Sequence, residues 1–150
     1  MTEPAVLHSD GASFGNPGAS GIGFVLKLGG ETVEYSADAG FGTNNQAEYR
    51  ALIVGLEEAV RRGVKELIVR ADSELLIKQM KGEYRVRDRR LQVLKAEVDA
   101  LRERFDRVRF EHVFREGNAR ADELAKAGAE LARSKGVRGA ESSGEKGLLE

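Results

Sequence analysis

Between residues 45 and 62 the apolar side chains of Tyr49, Leu52, Ile53, Leu56 and Val60 recur at helical spacing, whereas everything before them is short runs broken by glycine. That change of period constrains the fold more than any other feature. Residues 5–9 alternate, with Ala5, Leu7 and Ser9 on one side and Val6, His8 and Asp10 on the other, and predict a strand. Residues 11–21, rich in Gly, Ser, Asn and Pro, predict a turn, and residues 22–28 and 32–37 predict two strands joined through Gly29-Gly30. A loop at 40–44 leads into the helix, with Asn44 or Asn45 as its cap, Glu48 in its first turn and Gly63 at its end.

The rest of the chain continues the pattern. A strand is expected at 66–71, a helix at 73–81 closed by Gly82, and a long helix at 89–105 with Leu91, Leu94, Val98, Leu101 and Phe105 on one stripe. A strand follows at 107–114, with Val108, Phe110, His112 and Phe114 pointing one way, and then a last helix at 119–133. Residues 135–150 hold little to bury and read as a disordered tail after a single domain spanning 1–134. Three strands joined by tight turns run antiparallel. The helix after them carries the chain to a strand that can lie parallel to the first. The expected architecture is α/β, a mixed sheet of five strands with helices packed on it.

Composition removes several classes of function. There is no Cys and only two His, His8 and His112, so disulfide scaffolds, thiolate zinc sites and His-rich metal sites are out. A metal here would be held by carboxylates, which favours Mg²⁺ or Mn²⁺. The start lacks the basic and apolar segments of a secretory signal and no apolar run is long enough for a membrane, so a cytoplasmic protein is expected. The net charge of −1 divides into −6 over residues 1–60, +6 over 61–110 and −1 over 111–150. The densest basic stretch is Lys78, Lys81, Arg85, Arg87, Arg89 and Arg90. A solvated surface explains such a strip unless a phosphate-handling site lies close by, in which case it can dock a polyanion.

Four acids supply the reason to look for that site. Asp10 ends the first predicted strand and Asp72 the fourth. If those strands are parallel neighbours, both carboxylates emerge at one sheet edge, where open α/β sheets place their ligands. Glu48 and Asp122 sit at the starts of two helices that can reach the same point. Taken singly, each acid is explained by turn or helix-dipole chemistry. Together they would repel one another and take up protons unless divalent cations neutralise them. Two such cations ~4 Å apart suit in-line attack on a phosphodiester.

The residues around these acids resemble four signatures of the type 1 ribonuclease H family. They are Asp10-Gly11-Ala12-Ser13 followed by Gly15-Asn16-Pro17-Gly18, Thr43-Asn44-Asn45-Gln46-Ala47-Glu48, Asp72-Ser73, and Asn118-Ala119-Arg120-Ala121-Asp122-Glu123-Leu124-Ala125. The resemblance runs over roughly residues 4–133. It implies a ribonuclease H-like sheet and an endonuclease that cuts the RNA strand of RNA–DNA hybrids. It further implies that Asp10, Glu48, Asp72 and Asp122 are the catalytic metal ligands for two Mg²⁺ ions, with Mn²⁺ as substitute. One ion would activate water and the other would stabilise the departing 3′ oxygen, leaving a 5′ phosphate. Candidates for reading the 2′-hydroxyl are the backbone of Gly11, Ala12 and Ser13, the amides of Asn16, Asn44, Asn45 and Gln46, and the carboxylates of Glu48 and Glu74. Lys81, Arg85 and Arg87 would grip the phosphates of the DNA strand.

Two departures from the family pattern matter. The loop Arg115-Glu116-Gly117-Asn118-Ala119-Arg120 lacks the proton-shuttling His of many members, as in a short subgroup, and leaves Arg115, Glu116 or Arg120 as substitutes. His8 and His112 read as partly buried strand residues. The basic protrusion of well-studied members is also missing. A monomer is expected. A non-catalytic hybrid- or duplex-binding module and a nuclease for another nucleic-acid structure stay open as alternatives.

Overall fold

The structure is a computed structural model that describes residues 3–137. Five strands form one sheet in the order β3-β2-β1-β4-β5. They are β1 (Ala5–Gly15), β2 (Gly18–Leu28), β3 (Glu31–Gly42), β4 (Glu66–Ala71) and β5 (Arg107–His112). The β1–β2 and β2–β3 pairs are antiparallel, while β1–β4 and β4–β5 are parallel. The helices are α1 (Asn44–Arg61), α2 (Glu74–Met80), α3 (Arg89–Arg102) and α4 (Ala119–Ser134), and a 3-10 turn at Arg115–Asn118 precedes α4. Among the described residues no helix is long and apolar enough to cross a membrane.

The expected element order and mixed sheet hold, and the differences are local. The segment at 11–21 is not a broad turn. β1 runs on to Gly15 and β2 starts at Gly18, so only Asn16 and Pro17 turn the chain. Small residues here form an uninterrupted ladder from Val6↔Lys27 to Gly15↔Gly18, because ladder hydrogen bonds need no side chain. β3 likewise extends through 40–42. The cap of α1 is Thr43 rather than an asparagine. Its hydroxyl accepts from the Gln46 N–H at 3.1 Å, and the Gln46 carbonyl accepts from the Thr43 N–H at 2.9 Å. The helix therefore begins at Asn44, which moves Glu48 out of its first turn. α3 stops at Arg102, and β5 stops at His112, leaving Phe114 76% exposed. His112 is exposed as well, not partly buried. Lys135 closes α4 and pairs with Asp38, while residues 138–150 of the expected tail lie outside the described residues.

The main core lies between one sheet face and α1. Leu7, Phe24, Leu26, Leu67 and Val69 meet Tyr49, Leu52 and Leu56 there, all fully buried. Each such side chain contributes about 1.5–3 kcal/mol by leaving water. The opposite face is covered by α4 through small residues, Ala121, Ala125, Gly128, Ala129 and Ala132. A Cβ on Gly23 would fall 2.5 Å from the Ala125 nitrogen, so helix and strand touch backbone to backbone. This close approach sets how deep the start of α4 sits against β1 and β2.

Candidate active site

The fork between β1 and β4 makes the site. Their parallel pairing ends at His8↔Arg70, but β1 continues for seven residues beyond His8. Past that point the β4-facing backbone of β1 has no strand partner, and an open basin forms at the split. It is lined by Asp10, Gly11, Ala12, Ser13, Asn44, Asn45, Glu48, Asp72, Ser73, Arg115 and Asp122. Each acid arrives on a different element. Asp10 comes from the part of β1 that pairs with β2 but no longer with β4, and Asp72 stands one residue past the end of β4. Glu48 is carried by α1. A Cβ on Gly11 would lie 2.3 Å from the Ala47 carbonyl carbon and 2.4 Å from the Glu48 nitrogen. Only glycine lets α1 press Glu48 against the strand that bears Asp10. Asp122 comes from the first turn of α4.

The electrostatics are those of a crowded anionic site. Asp10 is 7% exposed, and its carboxyl is pushed up from 3.8 to about 8. Burial is the largest cause, followed by the charges of Asp72 and Glu48 and a hydrogen bond to Asp122. Glu48 is pushed up from 4.5 to about 7, again mainly by burial, with the Asp72 charge adding and a Ser73 hydrogen bond opposing. The Gly11 N–H donates to Asp10 Oδ1 at 3.0 Å. Among the described residues no cation pairs with Asp10, Glu48 or Asp72, and Asp122 has only Lys126, at 3.1 Å on the same helix.

The donor set therefore fits hard divalent cations. It consists of oxygens alone, carries more negative charge than the site can hold, and faces solvent. Among the described residues no three of these carboxylates are drawn together closely enough to enclose an ion by themselves. Mg²⁺ sites of one or two carboxylates commonly stay open in this way, completed by water and substrate phosphates.

The other sequence candidates separate into groups. Of the three loop substitutes for the absent His, only Arg115 lines the basin. Arg120 is held by Glu34 at 2.9 Å and by Glu123 at 2.9 Å, and Glu116 is exposed outside the lining. Asn44 and Asn45 are exposed at the rim, and Asn16 Oδ1 accepts from the Asn44 N–H at 2.9 Å. The Ser13 hydroxyl turns inward to Ser20 at 2.8 Å, so only its backbone faces the basin freely. The Gln46 carbonyl is committed to the helix cap. Glu74 is outside the lining and pairs with Lys78 at 3.2 Å. Lys81, Arg85 and Arg87 are exposed on the connection after α2, a helix of seven residues that starts beside the basin. Seven residues of helix rise about 10 Å, so Lys81 follows one helix length after Ser73 at the basin.

Sequence reasoning assigned no role to two residues that shape the site. Ser73 caps α2 by accepting from the Leu76 N–H at 3.1 Å and also meets Glu48. Asn118, 1% exposed, donates from Nδ2 to Asp72 Oδ1 at 3.2 Å and to the Ser9 carbonyl at 3.0 Å. Its signal in the sequence is its place at the head of the fourth signature, four residues before Asp122. The imidazole of His8, whose pKa burial lowers, meets Asn118 from the other side at 3.2 Å.

Comparison with known proteins fits this geometry. A family described as "Reverse transcriptase-like" matches residues 8–128. The chain is 41% identical over 123 residues to the "Bifunctional protein Rv2228c" of Mycobacterium tuberculosis, covering 80% of this chain and 34% of that protein. It is 42% identical over 120 residues to "Ribonuclease HI" of Halobacterium salinarum, covering 79% of this chain and 60% of the relative. The chain thus spans only part of the length of these relatives. The solved N-terminal RNase H domain of Rv2228c superposes with a TM-score of 0.86 at 37% identity, covering 91% of this chain and 99% of that one. RNase H1 from Halobacterium salinarum gives 0.82 at 39%, covering 87% and 100%. LC11-RNase H1, solved in complex with an RNA/DNA hybrid, gives 0.80 at 39%, covering 86% and 99%.

Proposed function

This chain belongs to the reverse transcriptase-like family, in its type 1 ribonuclease H branch, and from that premise we propose that it is an endonuclease cutting the RNA strand of RNA–DNA hybrids. The observation that carries the reading is the convergence of Asp10, Glu48, Asp72 and Asp122, from four separate elements, on one basin whose lining holds a single cation, Arg115. Those four carboxylates would hold two Mg²⁺ ions, with Mn²⁺ as substitute. When bound, the ions would supply charge neutralisation and Lewis acidity at the scissile phosphate, for products with 5′-phosphate and 3′-hydroxyl ends.

The chain's own residues would do the rest. Burial of Asp10 and partial burial of Glu48 weaken the screening of their charges by water, so a phosphate entering the basin meets a stronger field than at an open surface. Arg115, at the rim, is placed to hold a non-bridging phosphate oxygen and to lower the cost of bringing a polyanion to four acids. The backbone of β1 at Gly11–Ser13 on the side that β4 leaves open and the side chains of Asn44 and Asn45 would read the 2′-hydroxyls of the RNA strand, with Asn16 bracing Asn44. Lys81, Arg85 and Arg87 would take the phosphates of the DNA strand further along. The catalytic unit in this proposal is residues 1–134, acting as a monomer in the cytoplasm.

The test is a labelled hybrid offered with Mg²⁺ or Mn²⁺ beside single-stranded RNA, duplex RNA and duplex DNA. Cleavage confined to the RNA of the hybrid, lost with a chelator and with Asp10→Asn, is expected. Cutting that survives either treatment overturns the mechanism. Hybrid binding with no cut product would instead assign the chain to a binding module.

A further inference from the structure

We propose that His8 is a positioning residue for the catalytic carboxylate of Asp72, acting through the buried amide of Asn118. The inference rests on the functional reading above only in what Asp72 is for. The contacts themselves are independent of it.

The fork in the sheet leaves an acceptor open. Once β4 has ended its pairing at His8↔Arg70, the Ser9 carbonyl on β1 has no strand partner. Asn118 fills that vacancy in the ladder, donating from Nδ2 to Ser9 O at 3.0 Å and with the same amide nitrogen to Asp72 Oδ1 at 3.2 Å. Both partners are acceptors, so the amide can lie only one way round. Turning it over would set its oxygen against a carbonyl and a carboxylate in a place 1% exposed to water. Asn118 Oδ1 must then face His8 Nδ1, 3.2 Å away. An oxygen that only accepts needs a donor, so the Nδ1 atom of His8 carries the proton and, in the neutral ring, Nε2 is bare.

The consequence reaches the acids. Asp72 stands outside β4, and among the described residues no salt bridge steadies it. The Asn118 donor is its tether, and His8 holds Asn118 from behind. Asn118 also immediately precedes α4, which bears Asp122. One buried amide thus ties the strand that carries Asp10, the carboxylate of Asp72 and the start of the helix that carries Asp122. Partners of this outer kind are worth about 10–100-fold in metal affinity or activity at metal sites. Asparagine can replace this histidine in the required respect, because its amide nitrogen falls near the position of Nδ1. Leucine cannot.

The experiment uses the full chain, its His8→Leu and His8→Asn variants, and three readouts. Without metal, long-range ¹H–¹⁵N NMR of the imidazole should show the Nδ1-protonated tautomer in the wild type. Calorimetry with Mn²⁺ alone should show His8→Leu binding about tenfold more weakly and His8→Asn within about threefold of wild type. On hybrid, His8→Leu should lose kcat by a similar factor with KM little changed, and His8→Asn should recover most of it. An Nε2-protonated wild-type ring, Mn²⁺ binding unaltered in His8→Leu, or equal losses in the two variants would overturn the proposal. A wild-type chain that shows the tautomer and the Mn²⁺ effect yet cuts no hybrid would refute the nuclease reading and leave the tether standing.

Discussion

Replacing Asp10 by Asn should abolish cleavage and, at the same time, stabilise the metal-free protein in a pH-dependent way. The Asp10 carboxyl is raised from 3.8 to about 8 by burial and by its acidic neighbours. A raised carboxyl contributes stability that is fully present below its unfolded pKa and is lost as pH climbs through the folded one. Each pH unit across that window costs up to about 1.4 kcal/mol for one group. Asp10 alone can therefore cost as much as about 4 kcal/mol at pH 7. The coupling to Glu48, itself raised to about 7, and relaxation of the open basin reduce what one substitution recovers. Asp10→Asn should raise the unfolding free energy by about 2–4 kcal/mol at pH 8 in chelator and by little at pH 4. For a chain of this size that is about 4–16 °C in melting temperature. Millimolar Mg²⁺ should raise the wild-type midpoint and leave the variant almost unmoved, since only a cation that binds the folded state shifts it. Denaturant or thermal melts at the two pH values decide the matter. A variant no more stable than wild type at pH 8, or a difference of equal size at both pH values, would refute the account of the acids as a strained cluster.

Other consequences are as direct. Gly11→Ala places a methyl group on the Ala47–Glu48 backbone, and should cost about 1–3 kcal/mol of stability as overpacking. The accompanying shift of Glu48 should lower kcat about 100-fold, separable from the melt by assaying well below the variant's midpoint. Arg115→Ala should cut kcat about 10–100-fold, the worth of one charge-assisted hydrogen bond, with the melting temperature unchanged; an undiminished kcat would remove Arg115 from the reaction. Exchanging Lys81, Arg85 and Arg87 together for Ala should raise KM for hybrid and flatten the slope of log K against log salt by up to about 3, with kcat at saturation preserved. Thr43→Ala removes half of the α1 capping box and should cost about 1 kcal/mol, read from a urea titration.

Much of this protein is legible without coordinates because the information is local. A helical stripe such as Tyr49, Leu52, Leu56 and an alternating run such as Ala5–Ser9 follow from the periods of helix and strand, which neighbouring residues settle among themselves. The order of four acids with their flanking Gly, Asn and Ser residues is legible for the same reason. Element ends were less so. Residues 11–15 include the turn-favouring Gly11, Ser13 and Gly15 yet lie in β1, because their partner strand β2 is itself small and apolar enough to pair with them. Phe114 alternates like a strand residue but extends past the last ladder position of β5.

What only the tertiary structure decided is where separate elements meet. No pattern in the sequence announces that β1 outruns β4, that Asn118 crosses the gap from a distant segment to join Ser9 and Asp72, or that Arg115 rather than Arg120 turns to the acids. The perturbation of Asp10 is likewise invisible in the chain. An aspartate's charge is a property of the residue, but its cost depends on the water removed and the charges gathered around it once the chain has folded.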